Sequence, residues 1–230
     1  MEAQGGDQQV QGLGELGPLP GGHHGLSREQ ILESQRERLL AAIAQEVAAN
    51  GYRATTITDV VKLASVSSRD FYEHFEGKED CFLAAFEAVR DYLERLLTTA
   101  VATEPDWPHR VIAALRAALQ FFASEPELAR LCLIESVSAT PTIAIRFREV
   151  VLACVPMLEP GRAETPDAAD LPPSTEDSLL GGIISLVSHS IIAGETERLS
   201  KLLPDLVDFT LTPYLGPEMA ADLAAEASAV

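Results

Sequence analysis

The chain has 230 residues, 47% of them hydrophobic and 6% aromatic, and a formal net charge of −18. That length supports one large domain or two small ones around a sizeable core, and the scarcity of aromatics beside abundant Ala and Leu points to packed helices. No apolar run nears the roughly 20 residues that span a bilayer, and no basic stretch followed by an apolar one opens the chain, so a membrane partner and secretion are not expected and a cytoplasmic location is.

Residues 1–26 are rich in Gly, Gln and Pro and hold three acids and no base; they read as a disordered tail. His23 and His24 there supply too few fixed ligands for a specific metal site. From Ser27 the pattern becomes helical. Leu39, Leu40, Ile43 and Val47 recur at three- and four-residue steps, and Asn50–Gly51 closes that helix. Ile57, Val60, Val61 and Ala64 share one face of a short second helix, with Thr56 and Asp59 spaced as a capping box. After Ser65–Val66, Ser67 and Asp70 repeat the pattern and open a third helix running to about His74. Two short helices joined by a tight turn and braced by a longer one make a helix-turn-helix unit.

Glu76–Gly77 interrupts, and Lys78 opens a long amphipathic helix to about Val101. Further helices are expected from about Pro108 to Ser124, Pro126 to Ser138 and Thr142 to Met157, each beginning near a proline. Glu159 to Asp177, with four prolines and no apolar period, reads as an exposed loop. Helices at about Glu176 to Ala193 and Glu197 to Leu211, the latter kinked at Pro204, are followed by a short terminal helix and a tail. No strand-like alternation is present. The expected fold is all-α, divided into a tail (1–26), an N-terminal three-helix helix-turn-helix domain (27–77), a larger C-terminal helical domain (78–216), and a terminal helix and tail (217–230).

The stretch GYRATTITDVVKLASVSSRDFYEHFEGKEDCF, Gly51 to Phe82, resembles the signature of the tetracycline-repressor (TetR) family of bacterial transcription regulators. The matching elements are Gly51–Tyr52, Thr56, Asp59–Val60, Ala64, Val66–Ser67, Phe71–Tyr72, His74–Phe75 and Lys78–Glu79. The resemblance covers roughly residues 36 to 85 and implies a homodimeric repressor, released from a palindromic operator by a small molecule. The residue chemistry agrees. A short helix with a hydrophilic outer face fits a major groove. Ser68 and Arg69 at its N-terminal end suit base edges, Arg pairing with guanine O6 and N7. Thr56 and Lys78 are candidate phosphate contacts, with Thr58 near by, Lys78 adding its ammonium to the free N–H groups of a helix start; the resemblance implies phosphate contacts at Tyr72 and His74, and Ser67 completes the candidate DNA-binding set. Ser65 stands where the family usually has Gly, so a left-handed turn there carries a cost of about 1 kcal/mol. Seven bases against ten acids lie between Ser27 and Asp80, so most of the acidity falls elsewhere.

The C-terminal part has two expected surfaces. Phe86, Leu93, Phe121, Phe122, Ile134, Phe147 and Met157 are candidates to line a pocket for an apolar or amphipathic ligand, although simple core packing accounts for any one of them. Arg146, Arg148 and Glu135 are candidate polar anchors. Leu180, Gly181, Ile184, Val187 and Ile191, with Leu206 and Phe209, are the expected dimer interface, where glycines would permit close approach. Cys81, Cys132 and Cys154 read as buried free thiols. Ser185, Ser188, Ser190 and His189 crowd one helix, but neighbours on a helix do not face one another as a triad requires. With no phosphate loop, HExxH or paired-Cys motif, no enzymatic activity, metal or cofactor is expected. The alternative is a TetR-like helical dimer that has lost DNA binding and serves as a ligand-binding or protein-interaction module.

Overall fold

The computed structural model describes residues 27–228; the expected tail at 1–26 lies outside them. Among the described residues all regular structure is helical. Helix α1 (Arg28–Asn50) begins on a capping box in which Ser27 and Gln30 satisfy each other's backbone N–H groups, and it ends at Gly51, whose φ of 79° favours glycine. Its face Leu39, Leu40, Ile43 and Val47 is buried, against α2 (Ile57–Ala64) and α4 (Lys78–Val101). The Thr56–Asp59 capping box is formed in full. Ser65 has φ 53° and ψ 45°, a left-handed conformation adopted by no other non-glycine among the described residues. Arg38 of α1 donates to the Ala64 carbonyl at 2.9 Å and ties down the end of α2. Helix α3 (Ser68–His74) starts at its cap Ser67, which accepts from the Asp70 N–H at 3.1 Å. Phe71 and Phe75 anchor it in the core at 0% and 4% exposure.

The larger body is built on α4 and α5 (Trp107–Ser124). Next comes one rod in three pieces: α6 (Pro126–Arg130), a π-helical turn (Leu131–Glu135) and α7 (Ser136–Ser138). Then follow α8 (Pro141–Leu152), α9 (Val155–Leu158), α10 (Thr175–Ile192), α11 (Leu203–Leu215) and α12 (Pro217–Ser228). The expected helix to Met157 is thus broken at Ala153–Cys154. Pro204 does not kink a helix; it sits in the first turn of α11, where its missing N–H costs nothing. The terminal helix packs on α11 through buried Ala220, Ala224 and Ala227.

The segment expected as an exposed loop is largely exposed but ordered, with Gly161, Ala168 and Glu176 buried. It folds into 3₁₀ turns at Glu159–Ala163 and Asp167–Asp170. Gly161 lies so close to Trp107 and Tyr214 that a Cβ would collide with both rings. Arg162 closes the segment by donating to the carbonyls of Leu171 and Pro172, 2.7 and 2.8 Å, and to the Glu176 carboxylate. Glu176 also accepts from the Tyr214 hydroxyl at 3.1 Å, and these bonds, with that of Arg162 foremost, hold its carboxyl below the usual range. Among the described residues no single helix is long and apolar enough to cross a membrane.

Candidate nucleic-acid interface and ligand cavity

The outer face of α3 is polar and accessible. Ser67, Ser68 and Arg69 are exposed; 87% of the Arg69 side chain is open, and its one ion pair, to Glu73 at 3.6 Å, is a solvated contact of little strength. Tyr72 is 60% exposed while its ring rests edge-on against Phe71, 5.4 Å between centroids. Thr58 is exposed in the first turn of α2.

Three of the expected contacts are otherwise engaged. The Thr56 hydroxyl donates to Asp59 at 2.6 Å and accepts from the Asp59 N–H at 3.3 Å, so its role is to cap α2. His74 is half-buried beside Gln35, 3.4 Å away; burial, then the Arg36 charge, push its pKa down, leaving a neutral ring rather than a phosphate-seeking cation. Lys78 differs most from expectation. Its ammonium donates to the Tyr52 and Thr55 carbonyls, at 2.7 and 2.8 Å, and lies 4.2 Å from the centre of the Tyr52 ring. Desolvation lowers its pKa. It is a bracket across the α1–α2 turn, invisible in sequence because its partners are backbone carbonyls more than twenty residues earlier. Exposed cations that sequence reasoning passed over include Arg36, 5.8 Å over the Phe75 ring, Arg53 just ahead of α2, and Lys62 on α2. The count of bases between Ser27 and Asp80 was the available signal.

The turn carrying Tyr52 is also held from the larger body. Glu135 is 8% exposed and accepts the Tyr52 N–H at 2.9 Å, with Arg130 3.6 Å away. It is therefore a tie between the helix-turn-helix unit and the body, not a pocket anchor.

Between α4, α5, α8 and α10 lies a cavity of ≈ 210 Å³. Five of the seven expected pocket residues, Phe86, Leu93, Phe122, Phe147 and Met157, line it. The other two do not: Phe121 stacks on Tyr92 and Phe122, and Ile134 packs against the core. Cys132 and Cys154 also line the wall. Both are free thiols; burial raises the pKa of each, that of Cys132 to about 12, so they are protonated and unreactive. Arg90, Leu93, Leu97, Val150, Cys154 and Met157 are shared with a neighbouring groove of ≈ 600 Å³, which adds Glu94, Arg146 and Glu149. Arg146 pairs there with Glu87 and with Glu149, the latter at 2.9 Å. Arg148, by contrast, is tied to Asp177 at 2.5 Å on the outside.

The expected dimer residues divide. Val187, Ile191 and Leu206 are buried within the protomer at 4%, 5% and 0% exposure and so are not free for a partner, while Leu180 and Ile184 are half-buried and line the cavity. Gly181 and Phe209 are exposed. The Phe209 ring lies over Gly182, where a Cβ would come within 2.7 Å of it, so that glycine admits a ring of its own protomer. The outward apolar residues of this region are Leu186, Ile192 and Phe209.

A helix-turn-helix unit with an open reading helix, set on a helical body that holds an apolar pocket, is the build of a one-component transcription regulator. Residues 39–85 match the family model of the bacterial regulatory proteins, tetR family. It is 27% identical over 143 residues to the HTH-type transcriptional activator FasR of Mycolicibacterium smegmatis, a match spanning 61% of this chain and 64% of that relative. The chain thus covers less than two thirds of that curated relative's length. The fold is that of the fatty acid degradation regulator FadR from Bacillus halodurans, with TM-score 0.68 and 16% identity over 78% of this chain and 98% of that one. FadR from Bacillus subtilis, solved in complex with stearoyl-CoA, superimposes with TM-score 0.64 and 16% identity over 78% and 97% of the two chains.

Proposed function

We propose that this chain is a homodimeric DNA-binding transcription regulator, a repressor whose grip on a two-fold-related operator is released by a small apolar ligand. Each protomer lays α3 in one major groove, with Ser68 and Arg69 on base edges and Ser67, Thr58 and Tyr72 on the flanking phosphates. Its DNA target places the protein in the cytoplasm. The observation that carries this reading is the open, polar face of α3 on a unit anchored from behind by buried Phe71 and Phe75, the Lys78 bracket and the Glu135 tie.

The ligand part rests on continuity. Cys132 and Leu133 wall the cavity on the same π-helical turn whose last residue, Glu135, holds Tyr52. A ligand that displaces this wall moves the tie, and with it the spacing of the two reading helices. Dimerisation is assigned to the outward face of α10 and α11, with Leu186, Ile192 and Phe209.

The test is selection of duplexes from a random pool with the purified protein, followed by titration in increasing salt. A palindromic consensus bound by two protomers, with affinity falling steeply with salt, is the expected result. A dimer without sequence preference at any salt would transfer the chain to the binding-module alternative.

A further inference from the structure

Glu135 stands between two partners and fully bonds only one. Its carboxylate is 8% exposed, and Oε2 accepts the Tyr52 N–H at 2.9 Å. The other oxygen, Oε1, has Arg130 Nη2 at 3.6 Å, too far for a hydrogen bond. On the same edge of that guanidinium the Arg130 Nε is buried and has no hydrogen-bond partner. Two other arginines show what this edge does when it closes. Arg162 grips Glu176 through Nε and Nη2 at 2.7 and 2.8 Å, and Arg146 grips Glu87 with the same two nitrogens. Arg130 brings the matching edge to Glu135 and stops short, at 3.6 Å against 2.8 Å. A buried donor left unbonded is a cost the fold carries until an acceptor reaches it.

The backbone between the two residues is the π-helical turn Leu131–Glu135. Its i→i+5 register sets residues five apart one above the other, as Arg130 and Glu135 are, and such turns interrupt α-helices mostly at functional sites. Both ends are held. Leu128 and Ala129 are buried on α6, which packs on α1, and beyond α7 the Thr140 hydroxyl donates to Glu79 of α4 at 2.9 Å. Between these anchors Cys132 and Leu133 line the cavity. Pressure from the cavity therefore falls on a non-α turn whose register can change while its ends stay in place.

We propose that Glu135 is a two-position switch: it holds the Tyr52 N–H in the present arrangement, and a ligand that displaces Cys132 and Leu133 transfers it to Nε and Nη2 of Arg130, releasing the helix-turn-helix unit. This rests on the reading of the cavity as the regulator's ligand site, and it supplies the second of the two discrete arrangements that coupling between sites requires. A carboxylate this buried does not give up one hydrogen bond without gaining another. Arg130 offers two, and its unbonded Nε is satisfied in the same step. The Tyr52 N–H passes to water as its turn leaves the body.

The cavity can be filled from its own wall, so the test needs no ligand. Cys132→Phe fills it from the π-turn and Ala118→Phe from α5. Each is made alone and with Arg130→Lys, which keeps the charge but not the two-nitrogen edge. Hydrogen exchange of the Tyr52 amide and of the Arg130 Nε–H is followed by NMR, beside affinity for a selected duplex. Either filling substitution is expected to speed Tyr52 exchange at least about tenfold, the worth of a hydrogen bond to a carboxylate. It slows exchange of the Arg130 Nε–H and weakens duplex binding. Adding Arg130→Lys returns Tyr52 exchange to within about threefold of the wild type, because the two sites are coupled. Should one filling variant fail to fold, the other carries the comparison. Tyr52 exchange unchanged by filling, or speeded equally with and without Arg130→Lys, overturns the switch; weakened duplex binding in that case leaves ligand control standing without it. A wild type that binds no duplex, with Tyr52 and Arg130 responding as expected, removes the regulator reading and keeps the switch.

Discussion

Replacing Lys78 by methionine separates the two roles open to that residue. In sequence it looks like a phosphate contact, and its loss would weaken binding to all DNA sequences alike and lower the salt slope by about one. In the structure the ammonium is spent on two carbonyls of the α1–α2 turn and on the Tyr52 ring. Methionine keeps the apolar stem and removes the charge. Each hydrogen bond from a charged donor is worth about 1.5–3 kcal/mol, and the ring contact about 0.5–1 kcal/mol at a site that is not fully buried. The three are not additive, and the site is partly solvated, so a loss of about 3 kcal/mol is expected. For a chain of this size that lowers Tm by about 6–12 °C. Denaturant titration gives the stability change, and duplex binding well below the transition gives the salt slope. The reasoning is refuted if stability is unchanged within about 0.5 kcal/mol while the slope falls by one.

Three further outcomes follow from particular contacts. Ser65→Gly relieves the left-handed serine and is expected to raise stability by about 0.5–1 kcal/mol, read as an upward Tm shift of about 1–4 °C; a decrease would contradict it. Glu135→Ala strips the acceptor from the buried Tyr52 N–H and is expected to cost about 2–3 kcal/mol by denaturant titration, whereas Glu135→Gln, which retains an acceptor, costs less than half of that. Phe209→Asp places a charge on the outward face of α11 and is expected to shift the protein from dimer to monomer by light scattering; a dimer that persists at micromolar protein moves the interface elsewhere.

The reading unit was legible because its boundaries are written in local chemistry. The Thr56–Asp59 and Ser67–Asp70 spacings and the break at Gly77 mark α2, α3 and the start of α4 where they occur. The strain at Ser65 was legible for the same reason, since one turn residue decides it. What escaped depends on distant partners. The 159–177 segment buries Gly161 and Ala168, too small to leave an apolar period, and its order comes from Arg162 and from rings fifty residues away on either side. Helix α10 is apolar on nearly every side, so its pattern does not say which residues face the cavity, the core or the outside; Leu180, Val187 and Leu186 take one each.

The most direct measurement of DNA reading is a comparison of wild type with Arg69→Ala on a selected duplex and on its single-base variants. Arg69 is held by little beyond one exposed ion pair, so its removal leaves the fold intact. The wild type is expected to discriminate by about 1–3 kcal/mol at one base pair in each half-site, and Arg69→Ala to lose that discrimination while discriminating as before at the other positions. Equal affinity of both proteins for every duplex would contradict α3 as the reading helix.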